Sequence, residues 1–589
     1  MQVLLRNPVT AAAALALTVG ALSAQSADDT LVGTLSPMEH AMPRGADRVR
    51  VTPAGEVSLR LARRERESVQ VLVTNPARDL EDVRVEVGDL RRERPWWRFW
   101  EATTLSAENV DCDVTGYVWT EFPTNAPHGV TSMESVSVKE APGYRLKVKR
   151  CTAGWYPDPI LDFLPSVKVS RGDVQSFWVR VRCPRDQPAG TYRGTLSVGF
   201  TPVGGASTVR RLPFVVRVND FAVPAESPLP LAVTFGPMTF MTNHSEFAQA
   251  EAKAKAADPQ GPVALANGRL AEWGAFLADY YLTMDSLYTR TNLHWDVLAR
   301  LRDEGRLGRF NLGYWDYPKG DGDTMESWRE RTLPRLRRNY EKARELGILD
   351  KAYLYGCDEV RTNYFDSIRT CIGILRQEFP SVPLSTTAYD ESYGVGSPLA
   401  GIDWFTPKTS KYDPARAAAA RAEGRQVWWY VCNLPGGTYA NGFVQDPAID
   451  LRMLMGVQSV RMRPDGFLYY ELTIWNAPRP IERGPFTDWW SRSYLTANGD
   501  GCWTAVGPGG KPLPTQRLEN FRDGLEDYAY ALLLERKLAA NSRAAWADEA
   551  RRLLAVPREV MDTMENYTLD PAAYAAWRDA MADLIERAD

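Results

Sequence analysis

Asp358 and Glu359 are consecutive acids that close the short apolar run Tyr353-Leu-Tyr-Gly-Cys357. Two carboxyls this close repel each other when both are ionised, and in a partly dry pocket one of them keeps its proton to higher pH. A general acid needs that property. The adjacency also restricts the mechanism. A double-displacement glycosidase holds its carboxyls about 5–5.5 Å apart on opposite sides of an anomeric carbon, and neighbours on one loop cannot easily flank a sugar ring. They suit a division in which one acid protonates a leaving oxygen and the other orients a nucleophile belonging to the substrate, such as a 2-acetamido group. The competing reading is that an Asp-Glu dipeptide is a solvated helix start.

Further candidates end the neighbouring apolar runs: Tyr314-Trp-Asp-Tyr317, Tyr389-Asp-Glu391, Trp428-Trp-Tyr430 with Asn433, and Glu471 with Trp475 and Asn476. Acids, tyrosines and tryptophans dominate, with no histidine and no Ser/His/Asp set. This suits glycoside chemistry better than acyl or phosphoryl transfer. In an extended Val427-Trp-Trp-Tyr430, Trp428 and Tyr430 face one side and Trp429 the other. Core packing and sugar stacking are equal readings for any one of these rings. HExxH, P-loop, GxSxG and dinucleotide-binding glycine patterns are missing. The seven cysteines form no CxxC or CxxH pair, so a zinc site is not expected.

The elements that must hold these residues fall into three parts. Runs at 57–61, 69–73, 83–87, 144–148, 177–181, 194–200 and 212–218 alternate or are β-branched, and predict a β-sandwich over residues 30–225. Proline density at 224–230 marks a linker. Beyond it, apolar runs at 231–235, 286–289, 310–315, 352–355, 384–388, 402–405, 427–431 and 467–475 alternate with amphipathic stretches at 269–281, 328–345, 364–378 and 414–423. Eight such runs predict a (β/α)8 TIM-like barrel over 229–515. An open doubly wound sheet is disfavoured, because no glycine-rich phosphate turn follows the first strand. From Gln516 the period is helical, with Leu518, Phe521, Leu525, Tyr528, Leu532 and Leu533 on one face, which predicts a helical extension over 516–589 packed on the barrel. In a barrel the catalytic groups stand at the C-terminal strand ends, where the acids and aromatics above fall.

Composition bounds the partners. Seventy Lys and Arg against 74 Asp and Glu give a net charge of −4, which does not suit nucleic acid. Nineteen Trp and 25 Tyr exceed ordinary core needs, a hint of sugar-binding surfaces. Arg6, the uncharged apolar run 10–22 and the small residues Ser23, Ala24 and Ala27 have the order of a secretory signal peptide, taken here as residues 1–24. The run is shorter than the ~20 residues a membrane span needs, so the mature chain is expected to be exported, periplasmic or extracellular, without stable membrane insertion.

Longer stretches carry a family likeness. Tyr353-Leu-Tyr-Gly-Cys-Asp-Glu359, Val427-Trp-Trp-Tyr-Val-Cys432, Asp465-Gly-Phe-Leu-Tyr-Tyr470 and Arg517-Leu-Glu-Asn-Phe-Arg-Asp-Gly-Leu-Glu-Asp-Tyr528 resemble the catalytic domain of glycoside hydrolase family 123. Trp155-Tyr-Pro-Asp-Pro159, Gln175-Ser-Phe-Trp-Val179 and Pro188-Ala-Gly-Thr-Tyr-Arg-Gly194 resemble its N-terminal sandwich domain. The resemblance implies a β-N-acetylgalactosaminidase that acts with retention through an oxazoline-type intermediate, without a cofactor. It implies a general acid/base at Glu359 and a residue orienting the acetamido group at Asp358. On that footing Tyr430 or Tyr317 would donate to the acetamido oxygen, Trp429 or Trp475 would stack under the sugar, and Asn476 joins the substrate-binding candidates. The rival expectations are another sugar specificity on the same barrel, and a carbohydrate-binding protein without turnover.

Overall fold

A computed structural model describes residues 29–94, 103–124, 130, 132–136, 148–236, 261–289, 293–319, 322–476, 479–490, 492 and 497–588. The expected signal peptide and most of the 144–148 run lie outside the described residues.

The N-terminal part is built on two sheets. One has five strands in the order Leu31–Leu35, Arg66–Thr74, Val174–Arg182, Val110–Thr120, Gly154–Leu161, all antiparallel. The other runs Val167–Val169, Leu80–Val87, Gly190–Pro202, Thr208–Ala222, Val57–Arg63, with a parallel final pair. Alternation decides which side of each strand is covered. In Leu80–Val87 the buried residues are Leu80, Val83 and Val85, while Arg84 and Glu86 face water. Val71, Val73, Phe177 and Val179 of the first sheet share one core with Val85, Leu196, Val198, Phe214 and Val216 of the second. Apart from 144–148, the predicted runs form strands here with equal or longer bounds.

The second part holds a curled sheet of short parallel strands. Phe310–Asn311, Ala352–Tyr355, Leu384–Thr386, Trp404–Phe405 and Gln426–Val427 lie side by side in chain order. Leu231–Val233, Phe467–Tyr469 and Trp429–Val431 make a second group, also parallel. The two groups meet in one chain segment, because the predicted 427–431 strand breaks at Trp428. Gly466 permits the break: a Cβ there would stand 2.3 Å from the Trp428 ring.

The 286–289 run forms no strand, contrary to expectation. Side chains replace the ladder there. The Asp285 carboxylate accepts the backbone N–H of Ser286 at 2.7 Å and of Asn311 at 2.8 Å. Asn311 donates in turn to the carbonyls of Ser286 and Leu287. The edge is thus closed largely by polar side chains, with a backbone bridge between Thr234 and Asp285 and a bond from the Tyr314 N–H to the Thr289 carbonyl.

Helices cover the outside of this sheet at Met325–Glu345, Phe365–Glu378 and Pro414–Ala422, close to the predicted stretches. Thr324 and Ser327 form a capping box on the first, and Asp413 caps the last with Pro414 in its first turn. On the concave side Tyr353, Tyr355, Trp404, Trp428, Tyr430, Leu468, Leu287 and Ala232 form a separate buried cluster. Trp404 and Trp428 stack in it with centroids 4.6 Å apart.

The helix Gln516–Ala540 departs from the amphipathic norm. Arg517, Glu519, Arg522, Asp523, Glu526 and Asp527 are all buried along it, together with the predicted apolar residues Leu518, Phe521 and Leu525. Buried charges persist only when paired, and these are. Arg517 meets Asp158 at 2.8 Å, Arg180 meets Glu519 at 2.5 Å, and Arg452 meets Glu67 at 2.9 Å and Asp527 at 2.7 Å. Asp158, Arg180 and Glu67 belong to the N-terminal sheets, so the helix is an ionic spine joining both parts. The expected helical region 516–589 continues with Ala547–Leu554 and Pro571–Arg587, whose Arg578 pairs with Glu65 and Asp527.

Candidate active site

The strand Ala352–Tyr355 ends in a turn with unusual backbone. Gly356 lies against Trp315, and a Cβ would stand 2.2 Å from the Trp315 carbonyl oxygen, so only glycine fits. Cys357 and Glu359 then take φ of +55° and +48°, left-handed values that non-glycine residues seldom adopt. Such conformations persist only where the surroundings enforce them. Between these residues the chain turns enough for both acids to reach one cavity.

That cavity has a volume of about 540 Å³ and lies at the C-terminal ends of the strands. Asp358, Glu359, Thr387, Tyr389 and Lys408 line one part of it; Tyr430, Cys432, Asn433 and Leu434 line another; Tyr288, Leu468, Tyr470 and Asp500 complete it.

The two acids are held by different donors. Asp358 Oδ1 accepts from the Tyr355 hydroxyl at 2.6 Å and from Thr387 Oγ1 at 2.7 Å, and its Oδ2 accepts from Tyr288 at 3.3 Å. Glu359 Oε1 accepts from the Tyr430 hydroxyl and stands 3.0 Å from Lys408 Nζ. Tyr389 also donates to Glu359, and accepts from Lys408 at 3.0 Å. Thr387 links the acids, because its oxygen also accepts the Glu359 backbone N–H at 3.0 Å.

Burial tends to raise the proton affinity of Glu359, but the hydroxyls of Tyr389 and Tyr430 and the Lys408 ammonium outweigh it and hold the carboxyl below its usual range. This corrects the expectation drawn from repulsion between neighbours. The glutamate side chain is 39% exposed, so its surroundings are less dry than expected. Across the pocket, burial pushes Asp500 up to about 6, although Tyr470 and Tyr469 donate to it. Glu471, the predicted acid of the eighth run, lies outside the pocket lining. Burial raises it to about 7, and it accepts from Thr473, Leu472 and Gly236.

Of the candidates, Asp358, Glu359 and Tyr430 come together, and Asn433 and Tyr389 join them on the pocket wall. The other candidates do not line it, the four proposed substrate-binding residues Trp429, Trp475, Tyr317 and Asn476 among them. Trp429 points to the opposite side of its strand and packs edge-on against Tyr412, so it is core. Trp475 is fully buried beside Phe235 and Trp273 and donates to the Thr504 carbonyl. Tyr317 packs on Tyr364 outside the lining. Asn476 donates to the Arg492 carbonyl at 2.9 Å. Sequence reasoning missed Tyr288, Thr387, Lys408, Tyr470 and Asp500. The first three stand at or just past the ends of apolar runs, where the strand-end rule finds them. Asp500 lies in an irregular turn that carries no periodic signal.

Among the described residues no group of three or more His, Cys, Asp and Glu is placed to hold a metal ion. All seven cysteines are free thiols. No described helix is long and apolar enough to cross a membrane.

The sequence matches two family profiles: "Glycoside hydrolase 123, catalytic domain" over residues 295–534 and "Glycoside hydrolase 123 N-terminal domain" over residues 50–199. Among curated proteins none matches. Among solved structures, a family 123 glycoside hydrolase from Clostridium perfringens, described for glycolipid glycan hydrolysis, is similar with a TM-score of 0.63 at 14% identity, over 95% of this chain and 97% of that one. A protein assigned as a glycerophosphoryl diester phosphodiesterase, from Silicibacter pomeroyi, overlaps 30% of this chain and 50% of its own, with a TM-score of 0.20 at 16% identity.

Proposed function

Because the chain belongs to glycoside hydrolase family 123 it is a glycoside hydrolase, and we propose that it removes terminal β-linked N-acetylhexosamine, most readily N-acetylgalactosamine, with retention. The observation that carries this reading is the arrangement of Asp358 and Glu359, one cavity holding two adjacent acids with separate sets of donors. Asp358 already accepts two hydrogen bonds on Oδ1, while Oδ2 has only the longer bond from Tyr288. An acetamido N–H donating to Oδ2 would be oriented and polarised there, which makes its carbonyl oxygen a better nucleophile toward the anomeric carbon.

Glu359 supplies the proton to the glycosidic oxygen as that bond breaks. Substrate entering the mouth displaces water from this carboxyl and raises its proton affinity from the low resting value. After the aglycone departs, the same carboxylate takes a proton from the water that opens the oxazolinium ring, returning the anomeric carbon to its first configuration. Tyr430 and Lys408 steady the ionised form between the two steps. Asp500 and Tyr470, on the far wall, are suited to the sugar hydroxyls.

The same reading takes the two N-terminal sheets as a β-sandwich over 30–225 and the curled parallel sheet with its helices as a (β/α)8 barrel over 229–515, followed by the helical extension over 516–589. It takes the protein as exported after loss of residues 1–24.

The test compares two substrates in Glu359→Gln. Turnover of a disaccharide N-acetyl-β-galactosaminide should fall about 100- to 10,000-fold, the usual worth of a general acid. A 4-nitrophenyl glycoside, whose leaving group needs no proton, should suffer much less. Asp358→Asn should lose both. Normal hydrolysis of both substrates by Glu359→Gln would remove the acid from the mechanism.

A further inference from the structure

A second cavity, of about 190 Å³, opens between the end of the N-terminal strand Val110–Thr120 and residues 487–490, 492 and 498. It shares no lining residue with the catalytic pocket. Its rings are exposed in a way that core packing does not explain: Trp119 is 47% exposed and Trp490 is 57% exposed. Trp119 is backed by other rings. Trp119 packs edge-on against Trp155 at 5.5 Å, and Trp155 against Phe486 at 5.0 Å. Trp490 follows the buried Trp489 on the segment that Tyr117 binds, accepting from Thr487 at 2.9 Å and donating to Pro485 at 2.8 Å. The groove therefore draws its walls from both parts of the chain.

Its polar groups select the ligand class. Glu121, Asp488 and Arg492 line it with the two indoles, above the buried Asn498, and Asp488 is paired with Arg479. An apolar helix or a lipid would leave these groups facing hydrocarbon, at a cost. A nucleic acid would meet two carboxylates, which repel phosphate. A pyranose ring satisfies both demands, since its C–H face covers an indole while its hydroxyls can meet the carboxylates of Glu121 and Asp488 and the Arg492 guanidinium. Asn498, in the groove, and Asp500, in the catalytic pocket, stand two residues apart on one buried turn. The two walls are thus within about 7 Å of each other along the chain.

We propose that this groove is a second carbohydrate-binding site, with Trp119 and Trp490 as its stacking platforms, which holds a glycan chain apart from the residue being cleaved. The choice of a glycan rests on the glycoside hydrolase reading, but the binding can be measured without turnover. In full-length Glu359→Gln, calorimetric titration with cellotetraose, chitotetraose and a tetrasaccharide ending in β-N-acetylgalactosamine should detect binding of at least one of them at the groove. Adding Trp119→Ala and Trp490→Ala should weaken that binding at least tenfold. Trp119→Phe in place of Trp119→Ala should keep most of it. Turnover of a 4-nitrophenyl glycoside by Trp119→Ala/Trp490→Ala in the active enzyme should stay within twofold, which also reports that the fold is intact. Equal binding of all three tetrasaccharides with and without the tryptophans overturns the site, as does a groove that takes up an apolar dye or peptide and none of the sugars. Should the parent hydrolyse no N-acetylhexosaminide while the tryptophans still control tetrasaccharide binding, the groove stands and the proposed specificity falls.

Discussion

Replacing Lys408 by methionine removes the ammonium that stands 3.0 Å from Glu359 and keeps most of the side-chain length. At an effective dielectric of about 40–80, two unit charges at that distance attract by about 1.4–2.8 kcal/mol. Glu359 is 39% exposed, so solvent screening reduces this, and about 1.4 kcal/mol is the reasonable working value. That is about one pKa unit. The direction follows from the role. Lys408 favours the carboxylate, and the general acid works only while protonated. Without the lysine, Glu359 keeps its proton to higher pH, and the basic limb of the pH profile of kcat/KM moves up by about one unit. The assay is hydrolysis of a glycoside with a poor leaving group between pH 4 and 9, with thermal melting as a check on folding. A basic limb that stays in place, or moves down, would refute the pairing of Lys408 with the acid that limits the rate.

The buried Glu471 has a folded pKa of about 7, above its unfolded value, so it supports the fold at low pH and that support is lost as pH rises through about 7. Glu471→Gln should therefore gain on the parent by about 2–3 kcal/mol between pH 5 and 8, read from urea midpoints at both pH values. Arg452→Met removes one of the two cations that Glu67 and Asp527 share, leaving only Arg578, and should cost up to about 3–5 kcal/mol in the same unfolding assay. Gly356→Ala forces the Trp315 carbonyl to move and should cost about 1–3 kcal/mol of stability by calorimetry, while activity falls further because the turn that aims both acids shifts.

The strand-end rule reached Asp358, Glu359 and Tyr430 because the run before each is short, apolar and bounded by polar residues. It could have reached Lys408, which follows the 402–405 run by three residues, and Tyr288, within 286–289. Helix positions were legible from their period, as at Pro414–Ala422, where Asp-Pro announces the first turn. Trp429 and Trp475 were not legible as core. Alternation separates two faces without saying which one looks inward, and an indole suits either. The low proton affinity of Glu359 was also hidden, because it is set by Lys408 and Tyr389 from a neighbouring strand end and loop, beyond any local pattern. The buried charges of Gln516–Ala540 escaped for a similar reason: Asp158 and Arg180, the partners of Arg517 and Glu519, lie more than three hundred residues away in sequence.

That helix also decides what can be cut from this protein. Excising the first two hundred residues would not yield a smaller working enzyme. It would strip Asp158 from Arg517, Arg180 from Glu519 and Glu67 from Arg452, and expose these charges on a newly wetted surface. A chimera that borrows its front half from a relative must inherit Glu65, Glu67, Asp158 and Arg180, or exchange the spine with it, so the heritable unit is the pair of halves.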